Sequence, residues 1–183
     1  AGVAEHFIWF TRWYNLPRRY FFNHWFLRSI RGFHDFVGVN YYRSDRSSES
    51  KSDNKWPIDP EGLYRILKSA SRYGKPLYVL ENGIADATDQ KRVKFIQDHI
   101  AWMKKAMDEG VDVRGYFYCS LLDNFEWDKG FWPRFGLVEV DHRTMERKIR
   151  PSAWEYKKII QNLQPLSAST AGNHDPKRIG SPL

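Results

Sequence analysis

Residues 76–119, PLYVLENGIADATDQKRVKFIQDHIAWMKKAMDEGVDVRGYFYC, place a strand, a helix and a second strand in unbroken succession. PLYVL (76–80) is a short apolar run of the kind buried in parallel sheets. From about 89 to 109, Val93, Ile96, Ile100, Met103 and Met107 recur alternately three and four residues apart, which is one face of a helix. Gly110 suits the stop of that helix, and VRGYFYC (113–119) reads as the next strand. Strand, crossover helix and strand make a right-handed βα unit.

Working outward, the pattern recurs. DFVGVNYY (35–42) reads as a strand buried on both faces. Residues 43–58, rich in Ser, Asp and Lys, read as a long loop. Asp59 and Pro60 supply an N-cap and first-turn proline to a helix carrying Leu63, Ile66, Leu67 and Ala70, and Gly74 ends it. Upstream, Pro17 opens residues 17–31, where Phe22, Trp25, Phe26 and Ile30 predict an amphipathic helix. Downstream come the aromatic stretch SLLDNFEWDKGFWPRFG, a short extended RFGLVEV and a last helix near 150–162. The composition of residues 165–183 predicts a disordered tail.

Alternating strands and helices imply an α/β protein with parallel strands. Three main strands are too few for a closed (β/α)8 TIM barrel, which takes about 250 residues. The expected fold is therefore an incomplete portion of such a barrel, one domain spanning 1–164.

Composition narrows the function classes. At 183 residues and 42% hydrophobic content, the chain can bury one core. No run reaches the roughly eighteen apolar residues of a membrane span, and the first residues lack the order of a signal peptide. A cytoplasmic protein without membrane attachment is expected. The single cysteine, Cys119, excludes an intrachain disulfide and a cysteine-based zinc cluster, and no metal or cofactor is expected. Aromatic residues make up 16% of the chain, which suggests that some of them line a site. The net charge of +7 raises nucleic acid as a remote alternative. Arg12, Arg18, Arg19, Arg28 and Arg31 form the densest basic stretch. Without a nucleic-acid motif, a solvated helix face is the favoured reading, and no nucleic-acid partner is expected.

In parallel α/β folds, functional groups gather where strands end at their C-terminal side. Three successive ends carry Asn40-Tyr41-Tyr42, Glu81-Asn82 and Asp123-Asn124-Phe125-Glu126-Trp127. Carboxylates and amides can take sugar hydroxyls while aromatic planes stack on sugar C–H faces. Two carboxylates about one anomeric carbon would also suit glycoside hydrolysis. The plainer reading makes Glu81 a surface ion-pair partner and DNFEW a helix cap followed by core aromatics.

VLENG (79–83), GVNYY (38–42) and GYFYCSLLDNFEWDKGFWPRFGLVEVD (115–141) together resemble the C-terminal part of glycoside hydrolase family 1, the β-glucosidase and β-galactosidase family. The resemblance runs from about Pro17 to Asn162. It implies barrel strands six to eight, with Glu81 as the nucleophile and Tyr42 orienting it. It makes Glu126 the carboxylate that takes two sugar hydroxyls and Trp127 the indole beside it. An acid at Glu126 favours an unphosphorylated glycone, because it would repel a phosphate. Asn40 supports the site and Phe135 lines its wall, whereas Asp123 and Asn124 are expected to brace a turn.

The chain departs from the family in two respects. Where the family has a tryptophan seven residues before the DNFEW glutamate, this chain has Cys119, expected to be a small buried residue, and Tyr118 or Trp132 could fill the space. The Asn-Glu-Pro motif that carries the family's acid/base glutamate does not occur in these residues. Glu5 and His6 lie in no matching motif and are disfavoured as substitutes. His34 is expected at the barrel's opposite end.

The expected function is thus the C-terminal portion of a retaining β-glucosidase, acting on a β-glycoside or oligosaccharide and inactive without a missing N-terminal part. The alternative is a non-catalytic carbohydrate-binding or scaffold protein. Open strand edges and an uncovered face predict a partnering N-terminal half-barrel or self-association.

Overall fold

Asp59 does what its place before Pro60 predicts. Its carboxylate accepts a 3.3 Å hydrogen bond from the Gly62 amide and starts the helix Pro60–Ala70. The structure, a computed structural model, describes residues 1–162. The expected tail at 165–183 lies outside the described residues. In chain order the elements are β1 (Gly2–Trp9), α1 (Leu16–Asn23), α2 (Trp25–Ser29), β2 (Phe36–Ser44), α3 (Pro60–Ala70), β3 (Leu77–Asn82), α4 (Arg92–Asp108), β4 (Val113–Tyr118), β5 (Val138–Val140), β6 (Arg147–Ile149) and α5 (Pro151–Asn162).

The first four strands form one parallel sheet in the order β1-β2-β3-β4. Four parallel strands, not three, therefore make up this portion of a barrel. The additional strand, GVAEHFIW, pairs with β2 alone, and of its residues only Phe7 is buried. Charged and polar residues at positions 5 and 6 broke the apolar run that would have marked it.

One face of the sheet carries Val37, Val39, Tyr41, Leu77 and Val79, all fully buried in one cluster with Leu63, Ile66, Leu67 and Ala70 of α3 and Ile96, Ile100 and Met103 of α4. Each such side chain removed from water contributes about 1.5–3 kcal/mol, so this layer carries the stability of the unit. The opposite face is sparsely covered. Phe36 and Tyr78 meet edge to face at 5.1 Å, and Phe117 is 55% exposed. Among the described residues, no helix is long and apolar enough to cross a membrane.

Two local expectations change, and a third is borne out with its pairing added. The helix expected over 17–31 is two helices broken at His24, and Phe22, Trp25 and Phe26 are exposed while Asn23 and Leu27 are buried. The reason is a backbone clamp. Asn23 Oδ1 accepts from the Ile8 amide at 3.1 Å and Nδ2 donates to the Ile8 carbonyl at 2.8 Å, which turns a polar face of α1 onto β1. Next, α4 begins at Arg92 rather than near 89, because the buried Asp86 carboxylate accepts from the amides of Lys91 and Arg92 at 2.8 and 3.1 Å. Finally, the extended RFGLVEV segment contributes β5 to an antiparallel hairpin with β6, Val138 opposite Ile149.

Two buried arginines fasten the segment after β4. Arg150 reaches both oxygens of Asp123 at 3.1 Å and donates to the Gly136 carbonyl at 2.7 Å, while Asp123 accepts from the Gly136 amide at 2.8 Å. Arg92 pairs with Asp89 and donates to Tyr118 Oη at 2.9 Å and to the Arg134 carbonyl at 2.8 Å. Asp123 therefore braces its turn, as expected. Asp123→Ala, which strands the Arg150 guanidinium, should lower stability by about 3–5 kcal/mol. Urea unfolding followed by circular dichroism measures this, and an unchanged midpoint would contradict the brace.

Candidate active site

The ends of β2 and β3 meet through a shift in register. Val39 faces Val79, but the next pair is Asn40 with Glu81, so one extra residue has been accommodated in β3. Side chains alternate along a strand, and such a bulge changes which of them reach a given face. Tyr42 Oη donates to Glu81 Oε2 at 2.8 Å. Ionised or not, that oxygen is held in one place.

The residue after Glu81 ties three strands together. Asn82, 0% exposed, donates through Nδ2 to the Tyr41 carbonyl of β2 at 2.7 Å and accepts from Tyr116 Oη of β4 at 2.7 Å. Its carbonyl accepts from the Cys119 amide at 3.0 Å. Gly83 follows because nothing larger fits: a Cβ there would lie 1.7 Å from the Cys119 carbonyl oxygen. The string Glu-Asn-Gly therefore reads as a half-buried acid, a three-strand clamp and a close backbone approach.

Around Tyr42 the wall is aromatic. Phe135, buried, and Trp56 approach its ring at 6.0 and 5.7 Å, and each is 6.3 Å from the other. Burial, then Cys119 and Glu81, pushes the Tyr42 hydroxyl well above the usual phenol range, so it stays a donor. Cys119 is partly buried. Burial raises its thiol, with Glu81 and Glu126 adding to the effect against Tyr42, which disfavours a thiolate. Tyr118 does not fill the space beside it, since its hydroxyl binds Arg92 and its ring packs by Tyr156 at 6.1 Å. Trp132 is exposed.

Glu126 sits on the loop after β4, where its amide donates to the Gly130 carbonyl at 2.8 Å. Partial burial, then the negative charges of Glu81 and Asp128, raise its carboxyl above the usual range. The charge of Glu81 is thus felt at Glu126, second to burial. Trp127, at positive φ, is 83% exposed and Asn124 is exposed, so the indole stands off from the Tyr42 wall. Asn40 lies opposite Glu81 with its Oδ1 buried and without a hydrogen-bond partner among the described residues. His34 is buried just before β2, at the far end of the sheet, its Nδ1 3.3 Å from the Ile30 carbonyl.

The sequence left two neighbours of the site unassigned. His6, set aside for want of a motif, lies opposite Asn40 and stacks on Tyr42 at 6.2 Å. Desolvation and Arg43 lower its basicity while Glu81 opposes them. It went unplaced because its strand did. Trp56 was the one large aromatic in a polar loop, and that contrast was the available signal. Among the described residues no group of three or more His, Cys, Asp or Glu side chains is placed to hold a metal ion.

Parallel βα units with acids and aromatics at the strand ends define a portion of a (β/α)8 barrel of the glycosidase type. The family model for glycosyl hydrolase family 1 matches residues 45–164. The chain belongs to that family. It is 44% identical over 154 residues to a β-galactosidase of Sulfolobus acidocaldarius, covering 70% of this chain and 31% of the relative. It is 40% identical over 157 residues to β-glucosidase A of Acetivibrio thermocellus, covering 70% and 35%. The β-glycosidase of Pyrococcus horikoshii superposes with a TM-score of 0.81 at 38% identity, covering 86% of this chain and 47% of that one. The chain spans about a third of the length of these curated relatives.

If the two acids communicate as placed, Glu81→Gln removes a like charge from Glu126 and should lower the Glu126 pKa. Carboxyl-carbon NMR titration of Glu126 measures the shift, and an unmoved titration would separate the two groups.

Proposed function

We propose that this chain carries the nucleophile and glycone-binding part of a retaining β-glycosidase site, acting on unphosphorylated β-glycosides with β-glucosides as the favoured class. The observation that supports it most is the 2.8 Å hydrogen bond from Tyr42 to Glu81 with Glu126 in electrostatic reach. Ionised Glu81 would attack the anomeric carbon and form a glycosyl-enzyme, which water then releases. Glu126 would accept hydrogen bonds from two sugar hydroxyls, with Trp127 beside the ring, Phe135 along the wall and Asn40 behind the site. Cys119, in place of a larger residue, leaves room under the sugar.

Departure of the aglycone oxygen requires a proton from a second carboxyl about 5–5.5 Å from the nucleophile. No Asn-Glu-Pro stands in the 183 residues to supply it. We therefore assign that acid to an N-terminal half-barrel seated on the sheet face of Phe36, Tyr78 and Phe117, and expect little hydrolysis of unactivated glycosides without it.

A dinitrophenyl 2-deoxy-2-fluoro-β-glucoside tests the nucleophile directly, since its good leaving group needs little acid assistance. Mass spectrometry should find the label on Glu81. Folded protein that binds glucose but takes no label would make the chain a carbohydrate binder instead. Tyr42→Phe should slow labelling roughly tenfold to a hundredfold, the worth of a hydrogen bond to a charged group. Mixing with the N-terminal half-barrel should restore hydrolysis of an aryl β-glucoside, and persistent inactivity would remove the complementation.

A further inference from the structure

A cavity of about 370 Å³ opens on the helical side of the sheet between α1 and α3, and neither Glu81 nor Tyr42 lines it. Its lining is strongly cationic. Arg19 comes from α1, Arg65 and Lys68 from α3, and Arg72 from the 3₁₀ turn Ser71–Tyr73. No acid lines it. Arg65 is engaged by Glu61 at 2.7 Å and Lys68 by Glu109 at 3.2 Å, but Arg19 and Arg72 form no ion pair among the described residues. Arg19 lies instead over the Trp9 ring, its Cζ 4.8 Å from the centroid, a cation–π contact that uses the charge without using up the N–H donors.

Between these cations lies a polar relay. His24, nine-tenths buried, has Nε2 2.9 Å from Ser69 Oγ and Nδ1 3.0 Å from Tyr73 Oη. Tyr73 Oη donates its own proton to the His24 carbonyl at 3.2 Å, so it must accept from Nδ1–H. Nε2 is then the acceptor for the Ser69 hydroxyl. Desolvation, then Arg72 and Arg19, hold the imidazole down to about 4, so it is neutral near pH 7. Arg28 and Glu5 are the further charged groups around Tyr73. The remaining lining, Leu16 and Tyr20, is apolar or aromatic.

We propose that this cavity binds a small phosphate-bearing molecule, its oxyanion gripped by Arg19 and Arg72 beside the Ser69 hydroxyl and its organic body against Leu16 and Tyr20. Two unpaired guanidinium forks match an oxyanion in geometry and charge. The volume lies at the lower end of ligand pockets, about 300–1,000 Å³, which selects a compact molecule over a polymer. An anion placed there also offsets the Arg72 and Arg19 charges that add to desolvation in keeping His24 neutral. Binding should therefore raise the His24 pKa from about 4.

The test titrates the full chain at low salt with phenyl phosphate, with inorganic phosphate as competitor, read by calorimetry and by NMR of the His24 ring. Saturable one-to-one binding, displaced by inorganic phosphate and accompanied by a raised His24 pKa, is expected. Arg19→Gln and Arg72→Gln should each weaken it about tenfold, the loss of a charge-assisted hydrogen bond. Arg114→Gln, whose partner is Asp112 elsewhere on the surface, should leave it unchanged. Arg19→Lys and Arg72→Lys keep the charge and serve where the glutamine variants do not fold; they too should weaken binding, because the fork is lost. Binding that does not saturate, a His24 ring unmoved by ligand, or equal losses in Arg114→Gln would overturn the site. Displacement of phenyl phosphate by an oligonucleotide at far lower concentration would overturn it too, assigning the face to nucleic acid.

Discussion

The geometry of the candidate site depends on one side-chain amide. Asn82 joins β2 through the Tyr41 carbonyl, β4 through Tyr116 Oη and the Cys119 segment through its own carbonyl. Tyr42, which bonds Glu81, follows the Tyr41 that Asn82 holds, and Glu81 directly precedes Asn82 itself. A fully buried amide with its partners satisfied is stable only in one arrangement, because an unsatisfied polar group there costs about 1–3 kcal/mol. The clamp thus converts burial into position, and Tyr42 delivers its hydroxyl to a carboxylate that does not wander.

The sequence made the βα repeat readable wherever one physical effect dominated. Asp59 could be read as a cap because only its carboxylate stands before a first-turn proline. Glu81, Tyr42 and Glu126 could be read as a group because strand ends converge in any parallel sheet. What escaped was decided by contacts between distant segments. Asn23 binding the Ile8 backbone inverts the apparent amphipathicity of α1, and no periodicity within α1 contains that information. β1 escaped for a related reason. Its Glu5 and His6 interrupt the apolar run, and the strand is held largely by backbone pairing with β2. Losing β1 also meant losing His6, whose contact with Tyr42 follows from register alone.

The unusual aromatic content divides into two physically different populations. Tyr41, Phe95, Phe135 and Tyr118 are buried, whereas Trp13, Phe21, Trp25, Phe33, Phe117, Phe125, Trp127 and Trp132 are exposed. Single exposed aromatics are ordinary, but contiguous ones mark surfaces that meet something. Here Trp13, Phe21, Trp25 and Phe33 lie between β1 and β2, and Phe125, Trp127 and Trp132 lie on the loop that carries Glu126. The sheet itself is sided in the same way, well packed toward α3 and α4 and sparsely covered opposite.

That asymmetry separates the two carboxylates as well. Glu81 stands on a strand held by the Asn82 clamp, with Tyr42, Phe135 and Trp56 packed beside it, all from this chain. Glu126 stands on a loop whose ends are anchored by Asp123 with Arg150 on one side and by Arg134 and Arg92 on the other, while Phe125 and Trp127 between them face solvent. In the function proposed above, the firmly held Glu81 and the loosely packed Glu126 would call for different work from whatever completes the site. Little remains to be done for Glu81, whose partners are already in place. Glu126 and Trp127 have no such packing among the described residues, so on the proposed function a surface laid against the exposed aromatics would tighten sugar binding more than it would reposition Glu81.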